Sequence, residues 1–143
     1  GSTAAFISKG EVEDGLIRTL AEADIPLVIA GSLRDDGPLP EAVPTVSASL
    51  DEMGRHLSGT GLIIGVATML HSCAAAGQAP CWRRISATEE AVRIEPVPFA
   101  VVDITHPAVD LISDIRSHLT VDGFVTNAQD FVVQIRERIG RSS

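Results

Sequence analysis

Aromatic residues and cysteines are scarce in this 143-residue chain, which has no tyrosine, one tryptophan, four phenylalanines and two cysteines. Two cysteines cannot build the disulfide framework of a small secreted domain. With only His71 near them, Cys73 and Cys81 do not complete a zinc ligand set. The sequence therefore predicts two reduced thiols and no bound metal.

Positive charge is also scarce, because 11 lysines and arginines stand against 19 acidic residues and the net charge is -8. Nucleic-acid phosphates and anionic membranes repel such a chain. No apolar run reaches the roughly 20 residues that span a bilayer, and no secretory signal opens the sequence. We therefore expect a cytoplasmic protein that binds neither nucleic acid nor membranes.

Hydrophobic residues make up 45% of the chain, and Ala, Val, Ile and Leu dominate them. This bias favours the closely packed layers of an α/β fold. A chain of this length is typical of one domain. Because Gly1-Ser2 is typical of a cleaved tag, we expect a single domain over residues 3–140.

Short apolar runs alternate with helical patterns along the sequence. The runs predict strands at 27–30, 62–67, 99–104 and 123–126. Helical spacing and capping residues predict helices at 11–23, 45–57 and 68–76, from His106 onward and after Asn127. Segment 87–94 predicts either a short helix or an edge element. Strands separated by helices indicate a Rossmann-like three-layer α/β sandwich, with a mostly parallel sheet of about four to five strands.

The edges of so small a sheet would be exposed, and proteins usually cover such edges. We therefore expect a homo-oligomer, or a fused or partner domain that covers them.

Polar residues follow every predicted strand. Because the carboxyl ends of parallel strands meet at one edge of a sheet, these residues are expected to converge on a ligand crevice. The candidates are Ser32, Arg34, Asp35, Asp36 and Gly37 after the first strand, Thr68, His71 and Ser72 after the second, Asp103 and Thr105 after the third, and Thr126 after the fourth.

The loop after the first strand is the densest polar segment. The guanidinium of Arg34 can bind a phosphate or carboxylate in a fork. Asp35 or Asp36 can hold a ribose hydroxyl or act as a base. The alternative is a solvated turn in which the aspartates cap the loop and pair with the arginine.

The junction after the second strand offers the free N–H groups of a helix N-terminus, which suit an anion. Thr68 and Ser72 can add hydroxyl contacts, and His71 can move a proton. The alternative is that Thr68 is a plain helix cap.

Asp103 ends the third strand, as does the acidic residue that binds ribose hydroxyls in dinucleotide folds. The alternative is a capping aspartate. No G-x-G-x-x-G segment and no P-loop is present, so the usual phosphate fingerprint is missing.

Three segments carry a resemblance to a known family: 27–40 (LVIAGSLRDDGPLP), 67–72 (ATMLHS) and 102–104 (VDI). In this order they resemble the C-terminal domain of the archaeal-type ornithine cyclodeaminase family, often labelled LOR/SDH. The same family includes the cyclodeaminase half of bifunctional arginine dihydrolase/ornithine cyclodeaminases. The resemblance covers roughly residues 10–131.

The resemblance implies a deoxyhypusine-synthase-like half-fold and NAD as cofactor. It implies a lyase acting on ornithine or a related small amino acid, in which NAD takes hydride from the amino-bearing carbon, ammonia leaves on ring closure, and the hydride returns. Asp35, Asp36, His71 and Arg34 are the residue types that such chemistry needs, and the resemblance leaves their individual roles open. From the polar residues after the strands, we take Asp35, Asp36 and His71 as the catalytic candidates. The cofactor-binding candidates are Ser32, Arg34, Gly37, Thr68, Ser72, Asp103, Thr105 and Thr126.

The chain also departs from this family pattern. Thr105 stands where the family has Asn, the segment 126–128 stands where it has Thr-Asp-Val, and residues 81–96 resemble an insertion. These departures favour a second hypothesis, a noncatalytic ligand-binding or assembly module derived from the family.

Overall fold

A computed structural model of the protein describes residues 15–30, 42–87, 91–116 and 121–139. Met53–Ala128 forms one compact unit, and the described residues before and after it belong to a second. The elements in chain order are α1 (Leu16–Glu22), α2 (Val46–Leu57), β1 (Ile63–Val66), α3 (Met69–Gln78), β2 (Trp82–Ala87), β3 (Val92–Pro96), β4 (Phe99–Asp103), α4 (His106–Ile115), β5 (Val121–Val125) and α5 (Ala128–Ile139).

The first predicted strand, at 27–30, is present only as a single contact. Ala30 forms an isolated parallel bridge with Val43, whose N–H donates to the Ile29 carbonyl at 2.7 Å. Pro44 follows directly and has no N–H to extend the pairing. The prediction of a full strand is therefore wrong among the described residues, where the apolar run meets no partner long enough for a ladder.

The second, third and fourth predicted strands form a parallel sheet in the order β1-β4-β5. Ile63 pairs with Phe99 and Phe99 pairs with Val121, so the three strands start in register. Successive strands lie side by side, each followed by a helix, as in a βαβαβ unit. The predicted Rossmann-like α/β fold class is confirmed, with three strands in the described part of the parallel sheet.

Helices α3 and α4 pack against each other, and both contact β4, so they cover the same face of the sheet. Apolar side chains from this face and the two helices make the core: Ile63, Ala76, Ala79, Val97, Phe99, Val101 and Ile112. Two glycines let the helices approach closely. A Cβ on Gly65 would meet the hydroxyl of Ser72 in α3, and a Cβ on Gly123 would meet Val109 in α4.

The described residues of the segment 87–94 lie in β2 and β3, which pair as an antiparallel hairpin, so the helix alternative is wrong for them. The hairpin is a two-stranded sheet of its own rather than an edge of the parallel sheet. A bulge between Arg84 and Ser86 shifts its register. The N–H of Val97 donates to the carbonyl of Cys81 at 2.8 Å and closes the base of the hairpin. The hairpin is inserted between α3 and β4, at the amino end of the parallel sheet.

A buried arginine, Arg116, closes this unit at the end of α4. Its side chain is 1% exposed. One terminal nitrogen donates to the carbonyls of Ala76 at 3.5 Å and Ala79 at 3.3 Å, and the other to those of Pro80 at 3.2 Å and Val97 at 3.0 Å. The guanidinium carbon lies 5.3 Å from the centre of the Phe99 ring. The positive charge thus sits at the carboxyl end of α3, where the helix dipole favours it.

Candidate functional site

Two backbone hydrogen bonds join the carboxyl ends of the three parallel strands. The N–H of Ala67, just after β1, donates to the carbonyl of Val102 at 2.8 Å, and the N–H of Thr126, just after β5, donates to the carbonyl of Asp103 at 3.0 Å. The residues predicted to follow these strands therefore lie along one edge. This is the convergence that the sequence predicted from parallel pairing alone.

The turn from β1 into α3 is strained at Ala67, whose φ of 54° lies in the left-handed region. A non-glycine residue pays about 1–2 kcal/mol for that conformation. Such strain persists only where the surrounding structure holds it, and it often marks ligand sites. In dinucleotide folds a glycine makes the equivalent tight turn before the phosphate-binding helix. In this chain, which lacks that glycine-rich segment, Ala67 occupies the tight turn between β1 and α3.

Thr68 caps α3 and also holds His71. The Thr68 hydroxyl accepts the N–H of His71 at 3.4 Å and lies 2.7 Å from its Nδ1. Because the oxygen already accepts the backbone N–H, its own proton can be donated to Nδ1. That arrangement leaves Nε2 of this exposed ring for a proton donor or acceptor outside the helix. The capping alternative for Thr68 is confirmed, and it coexists with a role in orienting the imidazole.

Asp103 ends β4 with its carboxylate fixed on one side. The N–H and the hydroxyl of Thr105 both donate to Oδ1, at 2.9 and 2.8 Å. Within the described part of the chain, no group pairs with Oδ2. Oδ1 therefore plays the capping role of the alternative interpretation. Oδ2 can still accept a hydrogen bond at the edge of the sheet.

Ser72 occupies a different position from the other predicted residues. Its side chain is 4% exposed and lies between α3 and β1 against Gly65. The structure therefore places Thr68, His71, Asp103, Thr105 and Thr126 at the sheet edge. Ser72 lies beneath the helix.

The remaining candidates lie outside the described residues: Ser32, Arg34, Asp35, Asp36 and Gly37. They stay predictions. Within the described ranges no group of three or more His, Cys, Asp or Glu side chains is placed to hold a metal ion. None of the helices in those ranges is both long and apolar enough to cross a lipid bilayer.

Sequence reasoning missed three residues that shape this region. Gly65 and Arg116 control how α3 packs, and Ala67 sets the turn into it. Gly65 and Ala67 lie in an apolar run, where nothing in the sequence indicates a close approach of the helix or a positive φ. An arginine is rarely fully buried, so the residue type gives no signal for the buried position of Arg116.

The strands, helices and edge together define a Rossmann-type βαβαβ unit. Its three parallel strands are joined by two helices, with a helix N-terminus after the first strand and a carboxylate after the second. Residues 1–135 match the sequence profile of the family described as arginine dihydrolase ArgZ-like, C-terminal, Rossmann fold. The chain belongs to this family.

Curated relatives are much longer than this chain. The ornithine cyclodeaminase of Archaeoglobus fulgidus is 31% identical over 119 residues, which cover 80% of this chain and 28% of that protein. The ornithine cyclodeaminase of Methanopyrus kandleri is 42% identical over 82 residues, 57% of this chain and 20% of that protein. The chain therefore spans less than a third of the length of either relative.

Solved structures show the same fold. The ternary complex of AgrE with ornithine and NAD+ superposes with a TM-score of 0.73 at 28% identity, covering 100% of this chain and 19% of that one. A conserved LOR/SDH protein from Methanococcus maripaludis gives a TM-score of 0.72 at 24% identity, covering 99% of this chain and 38% of that one. The matched region is therefore less than half of each of those two chains.

Proposed function

We propose that this domain binds NAD and serves a cyclodeaminase-type lyase that acts on ornithine or a related small amino acid. The observation that carries the proposal is the Asp103 carboxylate, held through Oδ1 at the end of β4 with Oδ2 available. It stands one strand away from the N-terminus of α3. A family relative, AgrE, has been solved with ornithine and NAD+.

The residues at the sheet edge fit a dinucleotide. The N–H groups at the start of α3, next to the strained Ala67 and capped by Thr68, suit the pyrophosphate. Asp103 would accept the hydroxyls of the adenosine ribose. Thr105 holds that carboxylate in place, and Thr126 lies beside it at the end of β5.

Bound NAD supplies a hydride acceptor that is regenerated within the same turnover, so ornithine gives proline and ammonia with no net oxidation. His71 is proposed to move a proton at Nε2, because Thr68 occupies Nδ1. Asp35 and Asp36 are proposed as the other catalytic acids or bases, and Arg34 as a cation for the cofactor or substrate. Ser32 and Gly37 complete the proposed loop. Ser72 is buried under α3 against Gly65, so its proposed role is to support the helix and not to contact a ligand in the crevice.

Calorimetric titration of the full native polypeptide tests the cofactor. NAD is expected to bind, and NADP to bind at least about tenfold more weakly, because the Asp103 carboxylate repels a 2′-phosphate. Asp103→Ala is expected to lower the affinity for NAD by about tenfold or more, because hydrogen bonds to a charged acceptor are lost. The same variant should reduce the difference between the affinities for NAD and NADP.

A matched control is Asp110→Ala, which removes one exposed carboxylate from α4 without touching the sheet edge. It should leave both affinities unchanged. Failure of the native polypeptide to bind NAD at millimolar concentration would contradict the cofactor proposal. Equal losses in both variants would contradict the assignment to Asp103.

A measurement of product formation distinguishes the proposed lyase from the noncatalytic ligand-binding module. With NAD present, ornithine should yield proline and ammonia in equal amounts without accumulation of NADH. His71→Gln is expected to lower kcat by at least about a hundredfold, since positioned acid–base groups contribute on that order. His56→Gln, on the exposed surface of α2, serves as the control. NAD binding with no product from any small amino acid would favour the ligand-binding module instead.

A further inference from the structure

The β2–β3 hairpin presents an apolar face that is left exposed. Trp82, Val92 and Ile94 are exposed to 50%, 59% and 58%. Val92, Ile94 and Pro96 alternate along β3 and therefore share a face, and Trp82 joins them as the cross-strand partner of Pro96. A two-stranded hairpin is marginal by itself, and apolar patches of this kind mark interaction surfaces.

The outer edge of β3 has no partner strand in the described part of the chain. The N–H of Val97 faces β2, because it donates to Cys81. Alternation along an antiparallel strand then turns the N–H and carbonyl groups of Arg93 and Glu95 toward β2, and those of Val92 and Ile94 away from it. Among the described strands only β2 pairs with β3.

The sequence of β3 is self-complementary about Ile94. In the order Val92-Arg93-Ile94-Glu95-Pro96, a two-fold axis at Ile94 places Arg93 opposite Glu95 of a second, antiparallel copy, and Glu95 opposite its Arg93. Glu95 also forms an ion pair with Arg83 of its own hairpin, so its carboxylate would lie between two guanidinium groups. Opposite charges directly across a ladder stabilise the pairing. The same axis puts Ile94 beside Ile94 and Val92 beside Pro96 on the apolar face.

We propose that β3 pairs with β3 of a second copy of this chain, giving a continuous four-stranded antiparallel sheet. Each Ile94 N–H would donate to the opposite Ile94 carbonyl, and each Val92 N–H to the opposite Pro96 carbonyl. Pro96 has no N–H, so the ladder ends there. The two copies also bury the flanks of Ile94 and Val92 against each other.

This interface lies at the amino end of the parallel sheet. Because α3 starts at the carboxyl end of β1 and runs back, the hairpin that follows it is opposite the edge that carries Asp103 and His71. Dimerisation therefore leaves the candidate crevice open. It stands independently of the proposed function.

Sedimentation equilibrium of the chain up to about 1 mM tests the interface, since an edge contact of this size gives a weak dimer. A concentration-dependent dimer is expected. Arg93→Glu should raise its Kd by about tenfold or more, because two attractions become two repulsions. Arg55→Glu makes the same charge change on the exposed surface of α2, outside the hairpin, and should leave the Kd within about twofold.

Two further variants separate pairing from misfolding. Ile94→Pro removes an N–H that the hairpin itself does not use, so it should abolish the dimer while the far-ultraviolet circular dichroism spectrum of the dilute protein stays unchanged. A charge-exchanged variant, Arg83→Glu with Glu95→Arg, keeps an ion pair inside the hairpin. Mixing it with Arg93→Glu restores opposite charges across the β3 edge only in the mixed dimer, which should form more tightly than either variant alone. A monomer at every concentration, or a dimer indifferent to Arg93→Glu and Ile94→Pro, overturns the proposal.

Discussion

Replacing Arg116 with leucine is expected to lower the free energy of unfolding of the Met53–Ala128 unit by about 3 kcal/mol. The substitution removes the donors to the buried carbonyls of Ala79 and Val97 and to the partly buried carbonyl of Pro80. Each buried group left unpaired costs about 1–3 kcal/mol, and relief of the buried charge offsets part of the sum. Urea unfolding followed by the fluorescence of Trp82, the only tryptophan, reports on the same unit.

Two comparisons sharpen that measurement. Arg116→Lys keeps the charge but lacks the planar fork that reaches carbonyls on both sides, so an intermediate loss is expected. Arg84→Leu removes an exposed guanidinium from β2 and should change stability by no more than about 0.5 kcal/mol. If Arg116→Leu unfolded like the Arg84→Leu control, the four carbonyl contacts would contribute nothing to stability.

A second large effect is expected from Gly65→Ala. The new methyl group would meet the hydroxyl of Ser72, lie 3.2 Å from its Cβ and lie 3.3 Å from the ring of Phe99. Overpacking of this kind costs about 1–3 kcal/mol, which exceeds the gain from restricting the unfolded glycine. The same fluorescence-monitored unfolding measures it.

A double-mutant cycle tests the stated contact. In the Ser72→Ala background the hydroxyl is gone, so the cost of Gly65→Ala should fall by about 1 kcal/mol. Gly77→Ala is the matched control, because a Cβ there meets nothing within 4 Å and the residue lies in α3. It should stabilise the protein by about 0.5–1 kcal/mol. Strictly additive losses at positions 65 and 72 would contradict direct packing between them.

The sequence predicted the topology of this fold because the evidence for it is local and repeated. Apolar runs at 62–67 and 99–104, each followed by a helical pattern, could only be buried as parallel strands. The hairpin was harder to predict, since the bulge at Arg84–Ser86 interrupts the alternation that identifies a strand. The run at 27–30 is as apolar as the others, but a strand also needs a partner, and Pro44 limits the only one described.

For the candidate site, the sequence predicted which residues share an edge but not how each side chain packs. The edge shared by Thr68, Asp103 and Thr126 follows from parallel pairing, whatever the details of packing. The inward position of Ser72 did not follow from its place in the sequence, because it depends on which side of α3 faces Gly65. The positive φ of Ala67 has no sequence signal either, because alanine does not favour that conformation.

The contacts of Arg116 bear on how this fold accommodates new segments. The carbonyls of Pro80 and Val97 flank the hairpin, and one nitrogen of Arg116 binds both. The two ends of the hairpin are therefore held together by one side chain, at the place where the hairpin joins the rest of the unit. A change of length within the hairpin would therefore leave the parallel sheet and its two helices in place, as long as the two ends that Arg116 binds are kept.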